Sequence, residues 1–252
     1  MINMMGCIVI NIVIPMAGLG SRFTKDKYKK PKPFIDVNGK PMIMRVLDNL
    51  TYPSARYILI ARKEHIQEEF ETVELIKKNY NAIIIAIDKV TEGTACTALY
   101  ARELINNNAP LIIANSDQII DISFKDFVND SLNRNLDGSI LTFIDKDRDP
   151  KWSFARIDNE QMVIEVKEKH AISMYATVGI YMFNEGRFFV DGAIDMFIAN
   201  DRVNNEFYTC PVYNYIVSMG KRIGIFNIDP KLMHGIGTPD DLNKYLNSDS
   251  KL

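Results

Sequence analysis

The chain has 252 residues, of which 47% are hydrophobic and 25% charged, as in an ordinary globular protein; this excludes a disordered chain, a fibre and a coiled coil. Its 30 Lys and Arg and 32 Asp and Glu give a formal net charge of −2. The whole molecule therefore has no basic field that would hold a nucleic acid, and we expect no such partner.

Cysteine and histidine are few and scattered. None of the three cysteines (Cys7, Cys96 and Cys210) or three histidines shows metal-ligand spacing. We therefore expect reduced cysteines that serve in packing, as in a cytoplasmic protein. The apolar run near the start has no Lys or Arg before it and ends at Pro15, which favours a buried strand over a signal peptide or membrane span. We expect no membrane partner.

The first half of the chain alternates short apolar runs with helical patterns. Buried parallel strands are predicted at 8–14, 57–61, 82–87, 111–114 and 139–144. Helices are predicted between them, at 41–50, 64–79, 94–106 and 124–134. Such alternation is typical of right-handed crossovers in an open, twisted sheet.

The second half has a different pattern. A hairpin is predicted from 152–157 and 162–167, and further strands at 175–183 and 222–228. Helices are predicted at 188–198, 208–219 and 239–246. Because no Pro/Gly/Ser-rich linker divides the chain, we predict a single α/β domain over 1–252, with a mostly parallel sheet and a small antiparallel insertion.

A glycine pair follows the first predicted strand, in the run AGLGSRF at 17–23. Ligands of open α/β sheets bind at the carboxyl ends of strands, and Gly18 and Gly20 would expose backbone N–H groups to phosphate oxygens. Phe23 stands where a dinucleotide fingerprint needs its third glycine, and Ser21-Arg22 follow Gly20 where a P-loop needs Lys and Ser or Thr. On this pair alone, a phosphate loop and a plain turn both remain open.

Six cations and one acid lie between positions 22 and 32. Lys32 differs from the others because Pro31 and Pro33 stiffen the backbone on both sides of it. A solvated basic loop is the favoured interpretation for the remaining lysines, Lys25, Lys27, Lys29 and Lys30. A glycine loop, Arg22 at its end and Lys32 together suit a nucleoside triphosphate.

The run at 17–23, with Pro31-Lys32-Pro33 and the run NGKPM at 38–42, resembles the sugar-phosphate nucleotidyltransferases, which include glucose-1-phosphate thymidylyl- and uridylyltransferases. The resemblance extends to Gly237-Thr238-Pro239 near the end of the chain. It implies a three-layer, Rossmann-like nucleotide-diphospho-sugar transferase fold, with a nucleotide-binding half at 1–145 and an acceptor-binding half at 146–252. The small size resembles that of cytidylyltransferases of surface-polysaccharide pathways.

The resemblance also implies roles for individual residues. It assigns backbone contacts with the nucleotide to two glycine loops, through Ala17, Gly18, Gly20, Ser21, Gly93 and Thr94. Arg22 would bind the β- and γ-phosphates, Lys32 would stabilise charge at the α-phosphorus, and Asp117 would bind Mg²⁺. The acceptor pocket would be lined by the segment 150–154, Glu168, Lys169 and Gly179, with Lys169 on the acceptor phosphate.

Three of these assignments have alternatives in the sequence itself. Asp117 follows a predicted strand, which suits Mg²⁺ or a capping aspartate, and Lys169 ends an alternating charge run typical of a solvated edge strand. Relatives carry a second acid two places before the late Gly-Thr, where this chain has Gly235. Asp229 is a candidate substitute; His234 is a weaker candidate, because Mg²⁺ prefers oxygen ligands, and a core or surface position is its default interpretation.

The implied reaction transfers a nucleoside monophosphate from a triphosphate to a phosphorylated acceptor and releases pyrophosphate. CTP is slightly favoured over UTP and dTTP. The acceptor would be a sugar phosphate or another small phosphate ester, such as phosphocholine or phosphoglutamine, and the product a precursor of capsule or surface polysaccharide. Asp88 and Thr91 are candidates to read the base, and both also suit structural roles. A nucleotide-sugar-dependent glycosyltransferase and a non-catalytic nucleotide-binding regulatory subunit are the competing interpretations. The content of Phe, Tyr and Met leaves room for a homo-oligomer interface.

Overall fold

The computed structural model describes residues 9–25 and 28–249. Within them the strands are β1 (Ile10–Pro15), β2 (Asp36–Val37), β3 (Lys40–Pro41), β4 (Ala55–Arg62), β5 (Ala82–Ile87), β6 (Leu111–Ala114), β7 (Gln118–Ile120), β8 (Gly138–Ile144), β9 (Ser153–Ile157), β10 (Val163–Glu168), β11 (Tyr175–Phe183), β12 (Ile223–Ile228) and β13 (Met233–Gly235). The helices are α1 (Ser21–Lys25), α2 (Met42–Asn49), α3 (Lys63–Glu68), α4 (Phe70–Asn79), α5 (Thr94–Ala98), α6 (Arg102–Ile105), α7 (Phe124–Asn133), α8 (Gly186–Ile198), α9 (Val212–Ser218) and α10 (Pro239–Asp249). Cys7, Lys27 and the predicted strand start at Ile8 lie outside the described residues.

Nine of these strands form one sheet within the described part of the chain, with β5, β4, β1, β6 and β11 side by side. The other edge of β11 pairs with β8, which in turn pairs with β12. The first residues of β11 also pair with β9, and β9 pairs with β10. Seven strands run in one direction; β10 and β11 run in the other. The predicted α/β class, with a mostly parallel sheet and a small antiparallel insertion, is confirmed.

Helices cover both faces of the sheet because the buried strands are apolar on both sides. In β1, Ile12 packs into a core with α2, α4 and α7, and its neighbour Val13 packs into a second core with α5, α8 and α9. These three layers are those expected. The predicted nucleotide and acceptor halves share this sheet, since β6 and β11 pair directly.

A smaller third core lies under the segments that carry Arg22, Lys32 and Asp117. It consists of Phe23, Ile35, Val37, Met42, Ile119, Ile236 and Leu242. Its members come from α1, from the neighbourhood of β2, and from the antiparallel pair β7–β13, so their burial brings distant parts of the chain together. The sequence analysis did not predict β2, β3, β7 or β13, because strands of two or three residues show no periodicity.

Three predicted helices are interrupted or begin several residues later in the structure. The helix at 64–79 is divided at Glu69, which has φ −111° and ψ 34°, and the helix at 94–106 contains a 3₁₀ turn between α5 and α6. The helix predicted at 208–219 begins only at Val212, because the backbone at 207–209 is bonded to the loop before α5. In the described part of the chain, no helix has the length and apolar character needed to cross a membrane.

Candidate active site

Two adjoining cavities lie at the carboxyl ends of β1 and β6. The first has a volume of about 440 Å³ and the second about 380 Å³. Four residues line both cavities: Thr94, Asn115, Asp117 and Tyr208. Three of these four follow a glycine or a strand end, as expected for ligand sites of open α/β sheets.

The first cavity contains all six residues of the two glycine loops that were predicted to contact the nucleotide. They are Ala17, Gly18, Gly20, Ser21, Gly93 and Thr94, and Lys32 and Asp117 line the same cavity. Gly20 has a φ of +60°, and a Cβ at this position would lie 3.0 Å from the Cβ of Lys32. Glycine here therefore permits both the left-handed backbone and the close approach of the Lys32 segment.

The second glycine loop is fastened to a distant segment. Gly93 has a φ of +115°, and a Cβ there would overlap the backbone of Phe207. The Thr209 backbone N–H donates to Thr94 Oγ1 at 3.1 Å, and the Ala95 N–H donates to the Phe207 carbonyl at 3.0 Å. These contacts bring residues near 208 to the boundary between the two cavities.

Lys32 and Asp117 form an ion pair at this boundary. The Lys32 ammonium donates to Asp117 Oδ2, and the two side chains are 22% and 17% exposed. Lys32 begins a short 3₁₀ helix in which the Phe34 N–H donates to the Pro31 carbonyl at 2.8 Å. The proline-flanked turn therefore presents Lys32 directly to the carboxylate predicted to bind metal.

The surroundings of Asp117 suit one carboxylate. A Cβ at position 237 would overlap Asp117 Oδ2, so Gly237 leaves the room that this carboxylate occupies. Gly235 pairs with Gln118 across β13 and β7 and supplies no ligand. Among the described residues, no group of three His, Cys, Asp or Glu could hold a metal ion. One carboxylate with phosphate oxygens and water is a donor set that fits Mg²⁺.

The two other candidates for the metal site lie elsewhere. Asp229 accepts a hydrogen bond from the Lys231 N–H at 2.9 Å within its own turn, and it lines neither cavity. His234 Nε2 lies 2.6 Å from Asp121 Oδ2, and its ring packs on Tyr245. Neither side chain replaces the acid that is absent at Gly235.

The second cavity contains the residues predicted for the acceptor. They are Glu168, Lys169 and Gly179, together with Lys151, Trp152 and Ser153 of the predicted segment 150–154. Arg22, which was predicted to bind the β- and γ-phosphates, is exposed and lines this cavity and not the first. Gly179 has a φ of +90°, and a Cβ there would overlap the side chain of Asn115.

Glu168 is half-buried at the end of β10. Burial raises the pKa of its carboxyl, an effect that a hydrogen bond from the Ser153 hydroxyl and the charge of Lys169 oppose. The raised pKa favours the protonated carboxyl, which can donate as well as accept a hydrogen bond. It could therefore bind a hydroxyl or an amine of a small molecule.

Lys169 lies beyond β10 and has a φ of +53°. Its ammonium donates to Tyr208 Oη at 2.6 Å and lies 4.5 Å from the centre of the Tyr208 ring. The Tyr208 hydroxyl in turn donates to Glu206. Lys169 therefore faces the cavity and does not continue a solvated edge strand.

No motif in the sequence predicts that the segment with Glu206, Tyr208 and Thr209 belongs to the site. The only local signals against a helix there were the pair Asn204-Asn205 and Pro211. Of the two candidates for reading the base, Thr91 lines the first cavity, whereas Asp88 is exposed, pairs with Lys63 at 3.9 Å and lines neither cavity. The cysteines Cys96 and Cys210 are free thiols, with Cys210 buried beside the second cavity.

Comparisons with known proteins all find nucleotidyltransferases and sugar-nucleotide pyrophosphorylases. The sequence model of the family described as Nucleotidyl transferase matches residues 12–207. The mannose-1-phosphate guanylyltransferase catalytic subunit beta of Drosophila pseudoobscura pseudoobscura is 27% identical over 179 residues, which are 68% of this chain and 47% of that protein. The chain thus spans about half the length of this curated relative.

Solved structures with the same fold cover nearly the whole chain. A nucleoside-diphosphate-sugar pyrophosphorylase from Vibrio cholerae RC9 has a TM-score of 0.79 at 23% identity, covering 94% of this chain and 99% of that one. A UDP-glucose pyrophosphorylase complexed with UDP-glucose has a TM-score of 0.76 at 17% identity, covering 96% of this chain and 99% of that one. At these identities the likeness establishes the fold.

Proposed function

Because the chain belongs to the nucleotidyl transferase family, we propose that it transfers a nucleoside monophosphate from a nucleoside triphosphate to a small phosphorylated acceptor. The observation that carries this proposal is the junction of the two cavities at Asp117, which pairs there with Lys32. A nucleotide in the first cavity and an acceptor phosphate in the second would meet beside this pair.

The proposed reaction is a displacement at phosphorus. An oxygen of the acceptor phosphate forms a bond to the α-phosphorus, and the bond from that phosphorus to the oxygen bridging to the β-phosphate breaks. Pyrophosphate leaves with the electron pair of that bond. Because a phosphate monoester is already ionised near neutral pH, the reaction needs no general base, and positioning with charge neutralisation is sufficient.

The side chains at the junction have distinct proposed roles. Lys32 neutralises charge that develops at the α-phosphate, Lys169 holds the acceptor phosphate, and exposed Arg22 assists departure of pyrophosphate. Asp117 is the proposed ligand of Mg²⁺. When bound, Mg²⁺ supplies positive charge to phosphate oxygens. Glu168 and Gly179 shape the acceptor side, and the backbone of the two glycine loops holds the nucleotide.

For the substrates we propose CTP, with UTP and dTTP as alternatives, and a sugar phosphate or another small phosphate ester such as phosphocholine or phosphoglutamine. The product would serve capsule or surface-polysaccharide synthesis. The support is Gly235 in place of the second acid, which resembles small cytidylyltransferase-like members of the family, together with a second cavity of about 380 Å³ that suits a small acceptor. One relative is named as a mannose-1-phosphate guanylyltransferase, so GTP and mannose 1-phosphate belong in the same test.

A screen for Mg²⁺-dependent pyrophosphate release separates the competing functions. CTP, UTP, dTTP, GTP and ATP are each combined with phosphocholine, phosphoglutamine, glucose 1-phosphate and mannose 1-phosphate. Pyrophosphate release that requires one nucleotide and one acceptor is the expected result. Absence of release with every pair contradicts the proposal and favours a nucleotide-binding regulatory subunit, and hydrolysis or transfer of a nucleotide sugar without pyrophosphate favours a glycosyltransferase.

A further inference from the structure

Three side chains connect the first cavity to the second. Glu206 lines the first cavity, Lys169 lines the second, and Tyr208 lines both. The Tyr208 hydroxyl donates to Glu206 and accepts from the Lys169 ammonium at 2.6 Å. A carboxylate in one cavity and an ammonium in the other are thus joined through one phenol.

The protonation states of Tyr208 and Lys169 determine which group donates each of these two hydrogen bonds. Burial, and after it the hydrogen bond to Glu206, raises the pKa of the Tyr208 hydroxyl, which therefore stays protonated near neutral pH. A phenol has one proton to donate, and an ammonium can only donate. The Tyr208 hydroxyl therefore donates its hydrogen bond to Glu206 and accepts one from Lys169. A change at Glu206 alters the hydrogen bonding of the phenol that holds Lys169.

The backbone around Tyr208 is held on both sides. The Phe207 N–H donates to the Glu92 carbonyl at 2.7 Å, and the Thr209 N–H donates to Thr94 Oγ1 at 3.1 Å. Phe207 is buried beneath the guanidinium of Arg202, which lies 4.2 Å from its ring centre. We therefore expect a ligand to move the side chains of Glu206 and Tyr208 and to leave this backbone in place.

We propose that Glu206, Tyr208 and Lys169 couple nucleotide binding to acceptor binding, with Tyr208 as the positioning residue; this rests on the proposed function. Without nucleotide, Tyr208 holds the Lys169 ammonium. A triphosphate brings negative charge into the cavity that Glu206 lines, and repulsion between like charges weakens the hydrogen bond from Tyr208 to Glu206. Lys169 is then released toward the acceptor phosphate.

The expected coupling is modest and reciprocal. Glu206 is exposed, so solvent and salt screen the repulsion and the effect falls at the low end of measured couplings. We expect a nucleotide to tighten acceptor-phosphate binding about fivefold, and an acceptor phosphate to tighten nucleotide binding by the same factor.

Isothermal titration with inorganic phosphate tests this coupling without turnover. Phosphate is titrated into the protein alone and into protein saturated with the α,β-methylene analogue of CTP, UTP, dTTP or GTP, each with Mg²⁺. The wild type should bind phosphate about fivefold more tightly with one of the analogues. Tyr208→Phe keeps the ring and removes both hydrogen bonds, so its factor should fall to about one. Glu206→Gln, which removes only the charge, should lose the factor as well.

Tyr215→Phe is the matched control, because the Tyr215 hydroxyl also donates to a carboxylate, Asp201 at 3.2 Å, and lines neither cavity. It should keep the wild-type factor. The coupling is contradicted if none of the four analogues changes the affinity of the wild type for phosphate, or if Tyr208→Phe retains the whole increase in phosphate affinity. Failure of the proposed function is a separate result, namely no pyrophosphate release in the screen; release without coupling removes this inference alone.

Discussion

Lys32 and Asp117 combine opposite charges at a site where two polyanionic ligands would meet. In the absence of ligand each neutralises the other, which limits the cost of holding two charges that are 22% and 17% exposed. A triphosphate and a phosphate ester would provide Lys32 with new anionic partners. The pair is therefore a resting arrangement that ligands would replace.

Substitution of Lys32 tests its role in charge neutralisation. Lys32→Ala should lower kcat about 100- to 1000-fold, because a side chain that stabilises charge in the transition state is lost. Lys30→Ala is the matched control, since Lys30 pairs with Glu69 at 2.8 Å and lines neither cavity. The measurement is initial-rate pyrophosphate release, with thermal unfolding recorded for both variants. Equal rates in Lys32→Ala and Lys30→Ala would exclude this role for Lys32.

Substitution of Asp117 tests the metal assignment. Asp117→Asn keeps the size of the side chain but removes the charge proposed to bind Mg²⁺, so the Mg²⁺ concentration for half-maximal activity should rise at least about tenfold. Asp121→Asn is the control, because Asp121 pairs with His234 and lines neither cavity. The measurement is a Mg²⁺ titration of pyrophosphate release. Superimposable titration curves for Asp117→Asn and the wild type would place the metal site elsewhere.

Between elements, the critical contact is that of the second glycine loop with the segment before α9. Gly93→Ala should lower the free energy of unfolding by about 2 kcal/mol, because φ of +115° is unfavourable for alanine and its Cβ would overlap the Phe207 backbone. Gly18→Ala should leave stability nearly unchanged, since a Cβ there has no heavy atom within 4 Å. Urea unfolding compares the two variants; equal losses would mean that the Gly93 contact has no special cost.

Strands were more predictable than the contacts between loops. The limits of β5 and β6 agree with the sequence, because each is an uninterrupted apolar run bounded by polar residues or proline. Those of β11 agree as well, although Thr177 interrupts its apolar run. The start of α9 did not agree, since the bonds of 207–209 to the loop before α5 join residues more than a hundred positions apart. Local pattern contains no information on such bonds.

In the candidate site, the residues that belong to sequence motifs were predictable, and the residues that long-range contacts place there were not. Gly18 and Gly20 belong to the motif at 17–23 and Lys32 to the neighbouring motif at 31–33, and their common cavity followed from the order of strand, loop and helix. Glu206 and Tyr208 have no motif of their own. Their position at the boundary of the two cavities depends on Gly93 and Thr94, which only the folded chain brings beside them.

For the whole molecule, Glu168 makes stability depend on pH. Burial raises the pKa of its carboxyl above the ordinary value of 4.5, so the folded protein favours the protonated form. The stability from this group is complete below that value and is lost as pH rises through the raised value in the folded state. Glu168→Gln cannot ionise, so its stability relative to the wild type should increase from pH 4 to pH 8 in urea unfolding. A difference that stays constant over this range would contradict the raised pKa.

The most direct test of the account follows the fate of the α-phosphorus. The protein is incubated with Mg²⁺, the acceptor selected by the screen, and its nucleotide carrying ³²P at either the α- or the γ-position. We predict that the α-label appears in a nucleotide–acceptor diphosphate and the γ-label in pyrophosphate, in equal amounts. Recovery of the α-label as free monophosphate, or of the γ-label as inorganic phosphate, would contradict transfer at the junction of the two cavities.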